Sequence, residues 1–310
     1  MSQTPSKIRV IQKKNLWFML SLTIIGLGLI VMGQRYLHQD PVLNFGIDFT
    51  GGSSLILRFD KLNTELNNTD TPKETRIRFI QDVRGVLSRY QLDKSIIQIA
   101  QDREVIIRTI PLTNTQRVTL LSLLEERFGT LELLEVDIIG PSIGEELRQM
   151  SIWIICMVSI ALLLYCSWRF ELLYGVSALL AVLHDALIMV SFAALFNIEV
   201  NTAFVAAVLT ILGYSINDTI VIFDRIRENM NRYLKQWDIL TIINTSIYQM
   251  LGRTIHTSTT TLLVIVCLLI FGGTTIKPFA LVLLVGVISG TYSSLLIASP
   301  LVALFATKRR

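Results

Sequence analysis

The chain of 310 residues is 52% apolar and only 17% charged, against roughly 45–50% and about 25% in soluble domains, which excludes an ordinary soluble protein and points to a membrane. Its formal charge of +4 does not signal nucleic acid: residues 35–149 carry 14 Lys/Arg and 17 Asp/Glu (−3), and the rest carries 14 and 7 (+7). His38, His184 and His256 lie in separate regions without metal-ligand spacing, and Cys156, Cys166 and Cys267 fall in apolar runs, so a zinc enzyme and a disulfide-stabilised domain are both excluded.

In chain order, residues 1–15 read as a basic cytoplasmic tail and residues 16–34 as a retained first transmembrane helix, since no small-residue cleavage site follows it. Residues 35–149 form a polar segment long enough for one extracytoplasmic domain. Within it "GSSLILRF" (Gly52–Phe59) predicts a strand, and Pro72–Tyr90 a helix with Ile77, Ile80, Val83 and Leu87 on one face. The segment Thr64–Pro72 reads as a polar connector. Strands over Ser95–Ala100 and Glu104–Ile110 join through the turn "QDR", a helix over Thr113–Gly129 follows, and Leu131–Ile139 closes the series as a strand. The β-α-β-β-α-β order predicts an α+β ferredoxin-like domain.

Residues 150–306 carry five further apolar runs, Met150–Trp168, Leu172–Ile198, Thr202–Phe223, Ile255–Phe271 and Pro278–Ala306, and 307–310 form a second tail. Each run is near the roughly 20 residues that cross hydrocarbon. The prediction is an α-helical membrane protein with six transmembrane helices plus the one extracytoplasmic domain. With the amino terminus inside, the inner segments hold Lys7, Arg9, Lys13, Lys14, Arg169, Arg225, Arg227, Arg232, Lys235, Arg253, Lys308, Arg309 and Arg310, and the short outer loops only Lys277. This asymmetry places both termini inside.

Ionisable residues at membrane depth mark function by default. Asp218 interrupts the fourth run, His184–Asp185 stand thirteen and fourteen residues into the third, and Arg253 opens the fifth. Asp218 reads as a proton or ion site, or as a carboxylate solvated near the inner surface. Tyr214 and Ser215 precede it by four and three residues on the same helix face, Gly213 offers a close helix approach, and Asn217 and Thr257 are further supporting candidates. Arg253 is either a partner of Asp218 or a snorkelling anchor. His184–Asp185 is either a structural hydrogen bond or part of a proton relay. Gly46, Gly51 and Gly52 on one tether of the domain, and Pro141 and Gly144 on the other, are turn or hinge candidates.

"FGIDFTGG" (Phe45–Gly52), "GPSIGEEL" (Gly140–Leu147), "HD" (His184–Asp185), "GYSINDTIVIFDRIREN" (Gly213–Asn229), "RTIHTSTTTLL" (Arg253–Leu263), "FGG" (Phe271–Gly273) and "YSSLLIASP" (Tyr292–Pro300) resemble, in order, the motifs of the SecD/SecF family, on its SecF side. The resemblance covers nearly the whole chain, and its fourth-span motif is the specific one. It implies a half of a resistance-nodulation-division type assembly in the bacterial inner membrane, not an enzyme. Protons would be the coupling ion, with no other cofactor. It implies the partners SecD, the SecYEG channel, a YajC-like accessory subunit, translocating preproteins and membrane lipid, and no nucleic acid. By the same resemblance Asp218 takes the place of the family's essential carboxylate and Arg253 that of its essential arginine, while His184 and Asp185 match a motif in a supporting role. Two other readings stay open: a proton-coupled small-molecule exporter of the same superfamily, and a scaffold subunit without energy coupling.

Overall fold

A computed structural model of the chain describes residues 9–67, 71–100 and 104–308. The expected "QDR" turn, Asn68 in the connector, and Lys7, Arg309 and Arg310 lie outside the described residues. The chain divides into two compact units, a sheet unit over Phe45–Ser151 and a helical unit formed by the chain on either side of it.

The sheet unit contains strands β1 (Gly52–Phe59), β2 (Ile96–Ile99), β3 (Glu104–Thr109) and β4 (Leu131–Ile139). All pairings are antiparallel, in the order β2-β3-β1-β4. Alternation decides the faces: Leu55, Leu57 and Phe59 from β1 and Val105 and Ile107 from β3 are fully buried, as the period of two in a strand requires. The register of β1 on β4 shifts between Ile56 and Leu57, paired with Glu135 and Leu133, so Leu134 is the extra residue of a bulge. Helices α4 (Pro72–Ser88) and α5 (Asn114–Phe128) cover the buried face. Thr113 caps α5 in a capping box with Gln116, and Gly129 stops it at φ 78°. Phe59, Phe79 and Phe128 meet with ring centroids 5.0–5.7 Å apart.

Two local expectations change, and one element is added. The first part of the Thr64–Pro72 connector is helical, since α3 spans Asp60–Asn67 and buries Leu62 and Leu66. On α4 the buried face runs through Phe79, Val83 and Leu87, while Ile77 is 49% exposed, because a bulky aromatic at 79 fills the core better than the branched residue two places earlier. Arg35–Asn44, expected in the domain, lie with the helical unit, where Arg35 donates to the Ala194 carbonyl at 3.1 Å and Asn44 to that of Asn197 at 3.1 Å.

The tether glycines lie inside the sheet unit. Short helix α2 (Ile47–Thr50) ends at Gly51, with φ 70°, and Gly52 follows at φ 143°. A Cβ on Gly51 would stand 2.8 Å from Pro141 Cα, and one on Gly144 would stand 2.9 Å from Gly51 N. Both stretches therefore need glycine for close backbone approach, and Gly51 and Gly52 need it for positive φ as well. Gly46 is an ordinary extended N-cap at φ −72°.

Among the described residues six helices are long and apolar enough to cross a membrane: α1 (Lys14–Leu37), α6 (Pro141–Arg169), α7 (Leu172–Phe196), α8 (Thr202–Tyr233), α9 (Ile239–Phe271), and a sixth made of α10 (Ile276–Ser293), a π-helical turn (Ser294–Ala298) and α11 (Ser299–Lys308). Several outrun their apolar windows. The fifth begins at Ile239 rather than Ile255 because its first turns pack on the end of α8, where Asn229 donates to Ser246 at 2.8 Å and Gln249 at 2.9 Å. Asn201 and Asp238 cap α8 and α9 by accepting from Phe204 N and Thr241 N. Helix α10 packs on α7, α8 and α9, while α1 packs on α7. Helix α6 leaves much of its flank uncovered, with Trp153 71% and Trp168 85% exposed.

Candidate functional site

The buried residues of α8, Phe204, Ala207, Val208, Ile211, Leu212, Ser215, Ile216, Asp218, Thr219, Ile222 and Phe223, recur at steps of three and four, one face of a helix. Asp218 belongs to that face and is 7% exposed. Its side chain is thus largely withdrawn from solvent. Its Oδ2 is buried and has no hydrogen-bond partner among the described residues. Arg253, exposed on α9, is the cation whose field reaches it, and no direct ion pair joins the two among the described residues.

Small residues on α10 bring that helix onto the polar face of α8. A Cβ on Gly286 would overlap Ile211, and one on Gly290 would stand 3.1 Å from Ser215 Cβ. Gly213, expected to allow such an approach, is exposed and faces open space. It lies on the opposite side of α8 from the buried stripe, so the close contact falls to glycines of the partner helix.

Asp185 is fully buried and is the hub of the polar core. Its Oδ2 accepts from Ser215 at 2.6 Å and from Ser293 at 2.7 Å, and its Oδ1 accepts from Ser289 at 2.7 Å and faces His184 Nδ1 at 3.1 Å. His184 Nε2 meets Ser21 Oγ of α1 at 2.8 Å. Ser21 donates to Tyr292 Oη at 3.3 Å, and Tyr292 donates to the Trp17 carbonyl at 2.6 Å. The pair therefore reaches α8 through Ser215, one turn before Asp218. Thr219, next to Asp218, shares a hydrogen bond of 2.9 Å with Ser294 in the π-turn.

Tyr214 donates to Ser258 Oγ at 3.4 Å, and Ser258 shares a hydrogen bond of 2.6 Å with Thr291. The α9 hydroxyl on this network is Ser258. Thr257 is exposed and bonds only to carbonyls of its own helix, those of Arg253 and Thr254, because it lies one residue, about 100°, off the facing side. Asn217 is likewise exposed, pointing away from the buried face. The structure thus gathers Asp218, Tyr214, Ser215, His184 and Asp185 with Arg253 at the margin, and leaves Asn217 and Thr257 outside. Ser21, Ser289, Thr291, Tyr292 and Ser293 were missed. The available signal was the spacing of Gly286, Ser289, Gly290 and Ser293, small residues three and four apart on an apolar helix.

Residues 119–308 match the family described as "Protein export membrane protein SecD/SecF, C-terminal", and residues 41–61 match the SecD/SecF GG motif. A protein translocase subunit SecF of Sebaldella termitidis is 38% identical over 298 residues, covering 96% of this chain and 91% of that protein. The chain belongs to the SecF family. A second SecF relative, of Desulfurispirillum indicum, is 39% identical over 291 residues, 90% of this chain and 85% of its own. The crystal structure of SecDF, a translocon-associated membrane protein from Thermus thermophilus, matches with a TM-score of 0.83 at 32% identity over 100% of this chain. This SecF-family chain spans 40% of the length of that SecDF polypeptide. SecDF in a super-membrane-facing form matches with a TM-score of 0.67. The GG-motif match contains the positive-φ glycines Gly51, seated at the Pro141–Gly144 stretch, and Gly52, seated against the Thr109 carbonyl and Ile47.

Proposed function

We propose that the chain is the SecF part of a SecD–SecF pair in the bacterial inner membrane, where it uses the proton motive force to promote late steps of preprotein export through the Sec channel. Asp218 takes up and releases the coupling proton, and Arg253 stabilises its ionised form. One observation carries this reading: a carboxylate oxygen buried inside an apolar bundle without a hydrogen-bond partner, beside a cation that does not pair with it directly. Protonated, Asp218 is tolerated where it lies; ionised, it needs Arg253 or water. Each proton crossing 100 mV supplies about 2.3 kcal/mol, similar to the roughly 1–3 kcal/mol that shifts conformational equilibria.

In this reading both termini are cytoplasmic and the sheet unit is extracytoplasmic, as the Lys/Arg asymmetry requires. Its element order and the strand order β2-β3-β1-β4 support a ferredoxin-like assignment. The partners are SecD, SecYEG, the emerging preprotein and a YajC-like accessory subunit, and the uncovered flanks of α1 and α6 are where SecD or lipid would lie. Affinity purification from native membranes, followed by export into vesicles with and without an imposed gradient, tests the proposal. Co-purification of SecD and gradient-stimulated export are expected. Isolation without SecD or channel subunits would favour the small-molecule exporter, and gradient-independent export the scaffold.

A further inference from the structure

The hydrogen bonds around His184 count the protons it shares with Asp185. The count starts on α1, where the Trp17 carbonyl lies 2.6 Å from Tyr292 Oη. A carbonyl has no hydrogen to give, so Tyr292 donates its own. Tyr292 can then only accept from Ser21 Oγ, 3.3 Å away. Ser21 has one hydrogen, now directed at Tyr292, so toward His184 Nε2 at 2.8 Å it can only accept. While Ser21 makes that hydrogen bond to Tyr292, Nε2 carries a hydrogen.

On the other side of the ring, Nδ1 faces Asp185 Oδ1 at 3.1 Å. The Asp185 oxygens are also in contact with the hydroxyls of Ser215, Ser289 and Ser293 at 2.6–2.7 Å. A neutral ring protonated on Nε2 would set a bare Nδ1 lone pair against a carboxylate oxygen, and two acceptors do not make a hydrogen bond. A hydrogen must lie between them.

We propose that His184–Asp185 is a second proton-binding site, holding one proton between Nδ1 and Oδ1. The loaded pair is either imidazolium with carboxylate or imidazole with carboxylic acid. Both are neutral overall, the inexpensive state for a buried pair. The site stands whether or not Asp218 carries the coupling proton.

Unloading has a structural consequence. If the ring keeps Nδ1–H for Asp185 and loses Nε2–H, Ser21 must turn its hydrogen onto Nε2. The Ser21 and Tyr292 oxygens then face each other with no hydrogen between them. In that unloaded state the Ser21–Tyr292 hydrogen bond is lost and Tyr292 holds α1 through the Trp17 carbonyl alone, while Ser215 links the pair to α8. The ionisable groups around the pair are Tyr292 from α10, stacked on the ring at 6.1 Å, and Asp218 one turn beyond Ser215 on α8. Arg253 of α9 acts on Asp218, and α1 presents only Ser21 and the Trp17 carbonyl, which do not titrate.

Nitrogen-15 NMR of histidine-labelled full-length protein in lipid nanodiscs tests this, with the His184 signals assigned by their loss in His184→Gln. Near neutral pH, Nε2 is expected to be protonated, with Nδ1 either protonated or accepting a strong hydrogen bond. A neutral ring protonated on Nδ1 with a bare Nε2 would overturn the proposal. Tyr292→Phe frees Ser21 to donate to Nε2 and is expected to raise the share of bare-Nε2 rings about tenfold, the worth of roughly one hydrogen bond; an unchanged share would count against the accounting. Asp185→Asn can donate its amide hydrogen to Nδ1 without an added proton and is expected to hold a neutral Nε2–H ring. An imidazolium there at neutral pH would contradict the shared proton. Asp218→Asn is expected to leave the His184 signals in place, which separates this site from that one.

Discussion

Asp185 and Asp218 are both buried aspartates of one bundle, and their surroundings differ. Asp185 has three serine hydroxyls and His184 on its two oxygens; Asp218 has an oxygen with no partner. A buried acceptor without a donor costs free energy, and a donor left without its acceptor costs as much. Asp218→Asn is therefore expected to leave thermal stability in detergent unchanged or to raise it by about 1 kcal/mol, whereas Asp185→Ala, which strands three hydroxyls, is expected to lower it by about 3 kcal/mol or more. Equal losses in the two melting curves would contradict the division of roles. Arg253→Lys keeps a charge but loses the planar fork. If its field is what acts on Asp218, export should fall only a few-fold, while Arg253→Gln should abolish the gradient-dependent part.

At the scale of elements, the contact between α8 and α10 depends on which glycines face a neighbour. Gly286→Ala is expected to cost about 1–3 kcal/mol by overpacking Ile211, while Gly213→Ala, on the open side of α8, is expected to be tolerated; the same melting measurement reads both. The six helices, the βαββαβ order and the burial of Asp218 were legible because runs of about 20 apolar residues, period-two strands and a carboxylate in an apolar run are local patterns. The facing of Gly213, Asn217 and Thr257 was not, because residues one position apart on a helix differ by about 100° and only the packed partner says which side is inside. The α9 start at Ile239 was hidden for a related reason: Asn229, Ser246 and Gln249 look like loop residues until they bond to each other. The π-turn at Ser294–Ala298 leaves no signature in composition.

At the scale of the molecule, the account requires a fixed orientation. In a cysteine-free background, Lys73→Cys in the sheet unit should react with an impermeant maleimide from the outer side only, and Gln236→Cys between α8 and α9 from the inner side only; both positions are exposed. The reverse labelling would invert the charge argument. The sheet unit also carries its own pH dependence. Partial burial, then the charges of Glu135 and Asp48, pushes the Asp137 carboxyl up from its usual range. The folded unit holds that proton more firmly than the unfolded chain, so its stability falls as pH rises through the unfolded and then the raised folded value. Asp137→Asn should stabilise the unit at neutral pH and have no such effect below about pH 3, where both states are protonated, as read by hydrogen exchange in β1 and β3. The most direct test of the whole account is gradient-stimulated export of a secreted protein into membrane vesicles carrying Asp218→Asn, with partner assembly checked in the same membranes. The account predicts normal assembly, export without a gradient at the wild-type level, and loss of the gradient-stimulated part, with partial recovery in Asp218→Glu. Wild-type gradient stimulation in the Asp218→Asn vesicles would contradict it.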